Sequence, residues 1–81
     1  MQLNVLFFAQ ARERAGVARA ELSLPAGSCV RDALDAIARE HPALASLRSH
    51  LAVAQDGVLV RANDPLRDGA ELALLPPVSG G

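Results

Sequence analysis

The 81-residue chain contains no tryptophan, tyrosine or lysine, one cysteine, and only two aromatic residues, Phe7 and Phe8. Each shortage removes a class of function. Eight arginines stand against nine acidic residues, for a formal net charge of -1. Without a basic surplus or aromatic platforms there is no footprint for a phosphate backbone, so nucleic acid is not expected as a partner. The same balance offers nothing to anionic lipid. The longest apolar stretches, around residues 5–9 and 72–78, fall far short of the roughly 18 residues that a membrane span requires, and no charged-then-apolar leader precedes them. No membrane contact and no signal peptide are expected. Lacking lysine, the chain has no Schiff-base nucleophile and no side-chain amine for a conjugating enzyme. The lone Cys29 cannot close an internal disulfide, which fits a reducing compartment and makes the cytoplasm the expected location.

What remains is the composition of one folded domain. Hydrophobic residues make up 51% of the chain and charged residues 21%, and a chain this short can pack one core but not two. Leu3, Val5 and Phe7 recur at period two and predict a first strand. Its other face begins polar, at Gln2 and Asn4, and ends apolar, at Leu6 and Phe8. Ala9–Ala15 reads as a polar turn or short helix closed by Gly16. A second strand is expected over residues 18–24. Ser28 stands where a helix N-cap belongs, ahead of a helical run of Val30, Ala33, Leu34, Ile37 and Ala38 that Pro42 stops. A short helical turn over residues 43–50 is expected to carry Leu44 and Leu47 inward. Asp56-Gly57 is a two-residue hairpin signal between strands over 51–55 and 58–62. Glu71–Leu75 is the last strand, ended by Pro76-Pro77. The order is ββαβββ, an α+β fold with one main helix on a mixed sheet.

No metal-ligand spacing, phosphate-cradling glycine loop or nucleophile beside a base is present, so side-chain catalysis and a bound metal or cofactor are not expected. His41 and His50 have no acidic or cysteine neighbour at ligand spacing and read as surface or satisfied histidines. Cys29 reads as a small, partly buried residue at the first helical turn rather than a persulfide carrier. The chemistry falls instead on the tail, Pro76-Pro77-Val78-Ser79-Gly80-Gly81. Two prolines fix an extended direction, and two glycines without Cβ atoms fit a channel too narrow for other residues. Six extended residues reach on the order of 20 Å, enough to carry a terminal carboxylate into another protein's active site.

Leu6-Phe7-Phe8-Ala9-Gln10-Ala11-Arg12-Glu13 with Gly16, Ser28-Cys29-Val30-Arg31-Asp32-Ala33-Leu34, Asp68-Gly69-Ala70-Glu71-Leu72, and the closing Leu75-Pro76-Pro77-Val78-Ser79-Gly80-Gly81 resemble motifs of one family. It is that of the ubiquitin-like β-grasp sulfur carriers, and within it the small subunits of molybdopterin synthase. The resemblance runs end to end. It implies a β-grasp domain over residues 1–75 with an extended tail over 76–81. It also implies that an ATP-dependent adenylyltransferase of the ubiquitin-activating type adenylates Gly81. The resulting thiocarboxylate would then donate sulfur to cyclic pyranopterin monophosphate inside the large synthase subunit, in a heterotetramer. ATP would be used by the activating enzyme and not held by this chain. Gly80 and the Val78-Ser79 segment would give access, and Pro76, Pro77, Val78 and Ser79 would contact the partner.

Strand alternation sends Phe8, Leu59 and Leu75 outward near the tail's exit. Rimmed by Arg12 and Arg61, they are expected to form one surface that docks on both partners in turn. Competing expectations are the thiazole-forming sulfur carrier of thiamine synthesis, a modifier conjugated to proteins through its carboxyl, and a β-grasp interaction module with an inert tail.

Overall fold

The computed structural model describes residues 1–77. Val78, Ser79, Gly80 and Gly81 lie outside the described residues. In chain order the elements are β1 (Gln2–Phe7), α1 (Ala9–Ala15), β2 (Arg19–Ser23), α2 (Val30–Glu40), β3 (Ala52–Gln55), β4 (Val58–Val60) and β5 (Glu71–Leu75), with 3₁₀ turns at Pro42–Leu44 and Arg48–His50. The five strands form one sheet in the order β2-β1-β5-β3-β4. β1 and β5 run parallel; the other neighbours are antiparallel. This mixed sheet with its main helix is the expected β-grasp, with one addition. The segment after Phe8 is a true helix, so the order gains α1 between the first two strands.

One face of the sheet is closed and the other open. Leu3, Val5 and Phe7 of β1, Leu22 of β2, Val53 of β3, and Leu72 and Leu74 of β5 are all buried. They pack with Val30, Ala33, Ala36 and Ile37 of α2, with Leu44 of the first 3₁₀ turn and with Leu47 between the two. The buried stripe of α2 includes Ala36, while Leu34 and Ala38, expected inside, are half-buried at its margins.

The helix start differs from the sequence expectation. Ser28 turns back, its hydroxyl donating to the Pro25 carbonyl at 2.7 Å, and so is spent on the preceding turn. Cys29 is the N-cap: its sulfur accepts from the Asp32 backbone N–H, while its own N–H donates to the Asp32 carboxylate at 2.9 Å. This is a capping box in which cysteine takes the place usually held by serine or threonine. At the other end the His41 N–H donates to the Ile37 carbonyl at 2.8 Å before Pro42 forbids continuation.

The hairpin turn has φ of 49° at Asp56 and 85° at Gly57, the left-handed pair that matches the twist of β3 and β4. Asp56 also organises the chain beyond the hairpin. Its carboxylate accepts from the Glu71 N–H and from the Arg67 guanidinium, both at 2.9 Å. Beside it Gln55 is buried; its amide donates to the Pro65 carbonyl at 3.1 Å and accepts from the Arg67 N–H at 2.9 Å. These bonds hold the strandless stretch 61–70 against the sheet. The Met1 ammonium donates to the Leu24 carbonyl at 2.7 Å, and the Gln2 N–H donates to the Asp68 carboxylate at 2.7 Å.

The Glu71 N–H, and after it the Arg67 guanidinium, hold the Asp56 carboxyl below the ordinary aspartate value of 3.8. A carboxyl depressed in the folded state adds stability above its unfolded pKa and loses it as pH falls through the folded one. Urea unfolding at successive pH values below 4 should therefore show wild type losing stability faster than Asp56→Asn. A second expectation concerns Ala9, which begins α1 with φ of 47°, where a Cβ is strained. Ala9→Gly should raise stability by about 0.5–1 kcal/mol, read as a higher urea midpoint; an unchanged or lower midpoint would show that the strain is relieved locally.

Candidate functional site

The open face of the sheet is fixed by register. Leu6 lies opposite Arg19 on β2 and Ala73 on β5, Ala73 lies opposite Ala54 on β3, and Ala54 opposite Leu59 on β4. Residues directly opposite share a face, so one row crosses all five strands: Arg19, Leu6, Ala73, Ala54, Leu59. Phe8 and Leu75 stand one step further along β1 and β5, toward the exit. The three expected hydrophobes are therefore on one face, with Phe8 and Leu75 on neighbouring strands. Leu59 is two strands away from Leu75, on the order of 10 Å at the usual strand spacing, and small alanines fill the gap. The surface is flat and continuous rather than a tight cluster.

Exposure refines the expectation. Phe8 is 44% and Leu59 68% exposed, whereas Leu75 and Leu6 are only half-buried side chains in the floor. Val58, which pairs with the buried Gln55 and so stands on the inner face, is itself 65% exposed, because β4 is a three-residue edge strand. Phe8 is held at the sheet rim from both sides. Its N–H donates to the Leu74 carbonyl at 3.3 Å, and its carbonyl accepts from the Ala11 N–H at 2.9 Å. The left-handed turn at Ala9 then swings the chain into α1.

Arg12, on α1, lines a groove with Phe8 and Leu6. Arg61, one residue past β4, is exposed; the pairing of Val60 with Val53 carries it level with Ala52 and Leu75. Pro76 is half-buried and Pro77 exposed, continuing β5 off the sheet. The expected roles of Val78, Ser79, Gly80 and Gly81 fall outside the described residues. Arg19 completes the row beside Leu6 and was not singled out by the sequence. Its signal was its own alternation within β2, which gains meaning only when the register places it opposite Leu6.

Away from this face, His41 and Cys29 make local packing and capping contacts. His41 packs edge-on against Phe7, with ring centroids 5.3 Å apart, and His50 is exposed on its 3₁₀ turn. Cys29 caps α2, and the hydrogen bonds from Cys29, its N–H foremost, lower the Asp32 pKa. Among the described residues no group of histidine, cysteine and acidic side chains could hold a metal ion, and no helix is long and apolar enough to cross a membrane.

The sequence profile of the ThiS family matches residues 5–81. The chain belongs to the ThiS family. It is 42% identical over 83 residues to the molybdopterin synthase sulfur carrier subunit of Chlamydomonas reinhardtii, covering 100% of both chains. Among solved structures it is similar to SAMP1 from Haloferax volcanii, with a TM-score of 0.91, 32% identity and 100% of both chains covered. It is also similar to a chain in the complex of subunits 1 and 2 of the molybdopterin-converting factor from Helicobacter pylori 26695, with a TM-score of 0.72, 29% identity and 100% of both chains covered.

The open-face placement gives a direct contrast. Phe8→Asp should change unfolding free energy by less than about 1 kcal/mol, while Phe7→Ala, which empties a buried site, should cost about 3–5 kcal/mol. Chemical denaturation of both variants reads the difference, and a large loss from Phe8→Asp would place that ring in the core.

Proposed function

We propose that this chain is the sulfur carrier of molybdopterin synthesis, acting through the carboxyl of Gly81 and catalysing nothing by itself. The observation that carries the reading is the end-to-end likeness to a molybdopterin synthase sulfur carrier subunit, over the whole of both chains. The geometry supports it. β5 lies mid-sheet between β1 and β3 and delivers Pro76 and Pro77 outward beside the Phe8 and Leu75 surface, so a protein docked there would receive the tail.

A terminal carboxylate, with a pKa near about 3.3–3.7, is ionised at neutral pH and is a poor electrophile. In the proposed sequence one of its oxygens attacks the α-phosphorus of ATP on a ubiquitin-activating-type adenylyltransferase, and pyrophosphate leaves. The terminal sulfur of a sulfurtransferase persulfide then displaces AMP at the acyl carbon, and a thiol cleaves the resulting acyl disulfide, releasing the thiocarboxylate and leaving the thiol and the sulfurtransferase cysteine as a disulfide. The large synthase subunit, which the paired subunits of the Helicobacter complex support as a partner class, would present that sulfur to cyclic pyranopterin monophosphate. ATP is spent by the activating enzyme, so this chain needs no cofactor of its own. The unpaired Cys29 suits a cytoplasmic setting.

The likeness to SAMP1, a small archaeal modifier protein, favours a second reading, conjugation of the same carboxyl to other proteins. Covalent adducts in cell extracts would select it over sulfur donation. The carrier reading is tested by reconstitution with ATP, a sulfur source, the activating enzyme and the large subunit, scored for dithiolene formation. Deleting Gly81, or making Gly80→Leu, should abolish sulfur transfer and leave the unfolding midpoint unchanged, since Leu74 is the last buried residue among those described. A truncated chain that still supports dithiolene formation would refute the assignment. Phe8→Asp should weaken binding to both the activating enzyme and the large subunit, measured by calorimetry.

A further inference from the structure

Two grooves on the open face share Leu6 and Arg19 and differ in charge. The first, about 400 Å³, is lined by Leu6, Phe8, Ala18, Arg12 and Arg19 and by no acidic residue. The second, about 460 Å³, is lined by Leu6, Arg19, Asn4, Glu21 and Glu71. Register sets their direction. Glu21 and Glu71 flank Asn4 on either side, while Arg19 flanks Leu6 two residues further along β1. The step between the rows is about 7 Å. The face is basic and apolar toward the tail's exit and acidic toward the opposite edge.

The charged groups are free to meet a partner. Among the described residues the ion pairs are Arg48 with Asp35 and Arg67 with Asp56, and neither involves Arg12, Arg19, Glu21 or Glu71. Two guanidiniums beside an exposed phenyl ring suit a carboxylate next to a large apolar side chain, because arginine pairs with carboxylates in a planar fork while the ring and Leu6 take the hydrocarbon. The two glutamates one row away would repel such a carboxylate and attract a base.

We propose that this double groove takes a protein segment carrying carboxylates beside a large apolar side chain and, about 7 Å further along, a basic residue. The charge order fixes the direction in which the segment lies along β1. It rests on the docking role given to Phe8 and deepens it: the apolar ring supplies contact area, and the Arg12–Arg19 and Glu21–Glu71 pairs select orientation and partner.

The probe is a capped hexapeptide of two glutamates, two leucines and two arginines in that order, titrated into the isotope-labelled full-length chain and followed by amide chemical shifts. Shifts confined to the lining of the two grooves, Asn4, Leu6, Phe8, Arg12, Arg19, Glu21 and Glu71, are expected, with affinity roughly fivefold weaker for Arg19→Glu, the size of one lost rim ion pair. A peptide with glutamines for glutamates should bind similarly weakly. Equal shifts from the glutamine peptide, shifts elsewhere, or none at all would overturn the proposal. So would the same shifts produced by inorganic triphosphate, which would make the groove a plain anion site. The titration uses no enzyme, so its failure leaves the terminal-carboxyl reading standing, and absence of thiocarboxylate in the reconstitution leaves the titration result standing.

Discussion

The parallel pairing of the first strand with the last is the contact on which the rest of the structure depends. Asn4, Val5, Leu6 and Phe7 lie beside Glu71, Leu72, Ala73 and Leu74, joining segments nearly a whole chain apart at the middle of the sheet. Each strand brings its own antiparallel neighbour, β2 to β1 and β3 to β5, and β4 is added through the Asp56-Gly57 turn. The loop-closure entropy of so distant a pairing is offset by burial, since Val5, Leu72 and Leu74 are among the most enclosed side chains in the chain. The polar ties around it are local locks: Gln55 and Asp56 to the 61–70 stretch, and Asp68 and Gly69 to Gln2.

The same pairing builds the working surface. Because β1 and β5 run the same way, they end together, so the residues just past each strand's core segment, Phe8 and Leu75, emerge at one edge. A face that alternation alone would have left polar is apolar there, at the point where the chain leaves the sheet. Position and chemistry of the site thus follow from topology.

Much of this was legible in the sequence. Glu71–Leu75 could be bounded to the residue because a charged turn precedes it and two prolines come directly after, and the hairpin was marked by Asp56-Gly57. The main helix was clear from its period and from Pro42. What escaped depended on contacts between distant segments. Seven residues over Ala9–Ala15 are too few for periodicity to separate helix from turn. Ser28 was the better cap by residue type, yet only Cys29 has an acidic residue three positions on, at Asp32, to close the reciprocal bonds. Gln55 looked like any polar strand residue, and its burial comes from backbone groups of the 61–70 stretch that no local pattern announces. Leu75 was placed on the correct face but overstated in exposure, since Phe8 and Ala52 lie to either side of it.

The central place of β5 also has a temporal meaning. Synthesis runs from the amino end, so the strand that occupies the middle of the sheet is made after all the others. A nascent chain lacking it can form α2 and the β3–β4 hairpin but has only the separate halves of a sheet. The sheet can therefore close only once β5 has been made, and Pro76 and Pro77 leave it from the very strand that closes it.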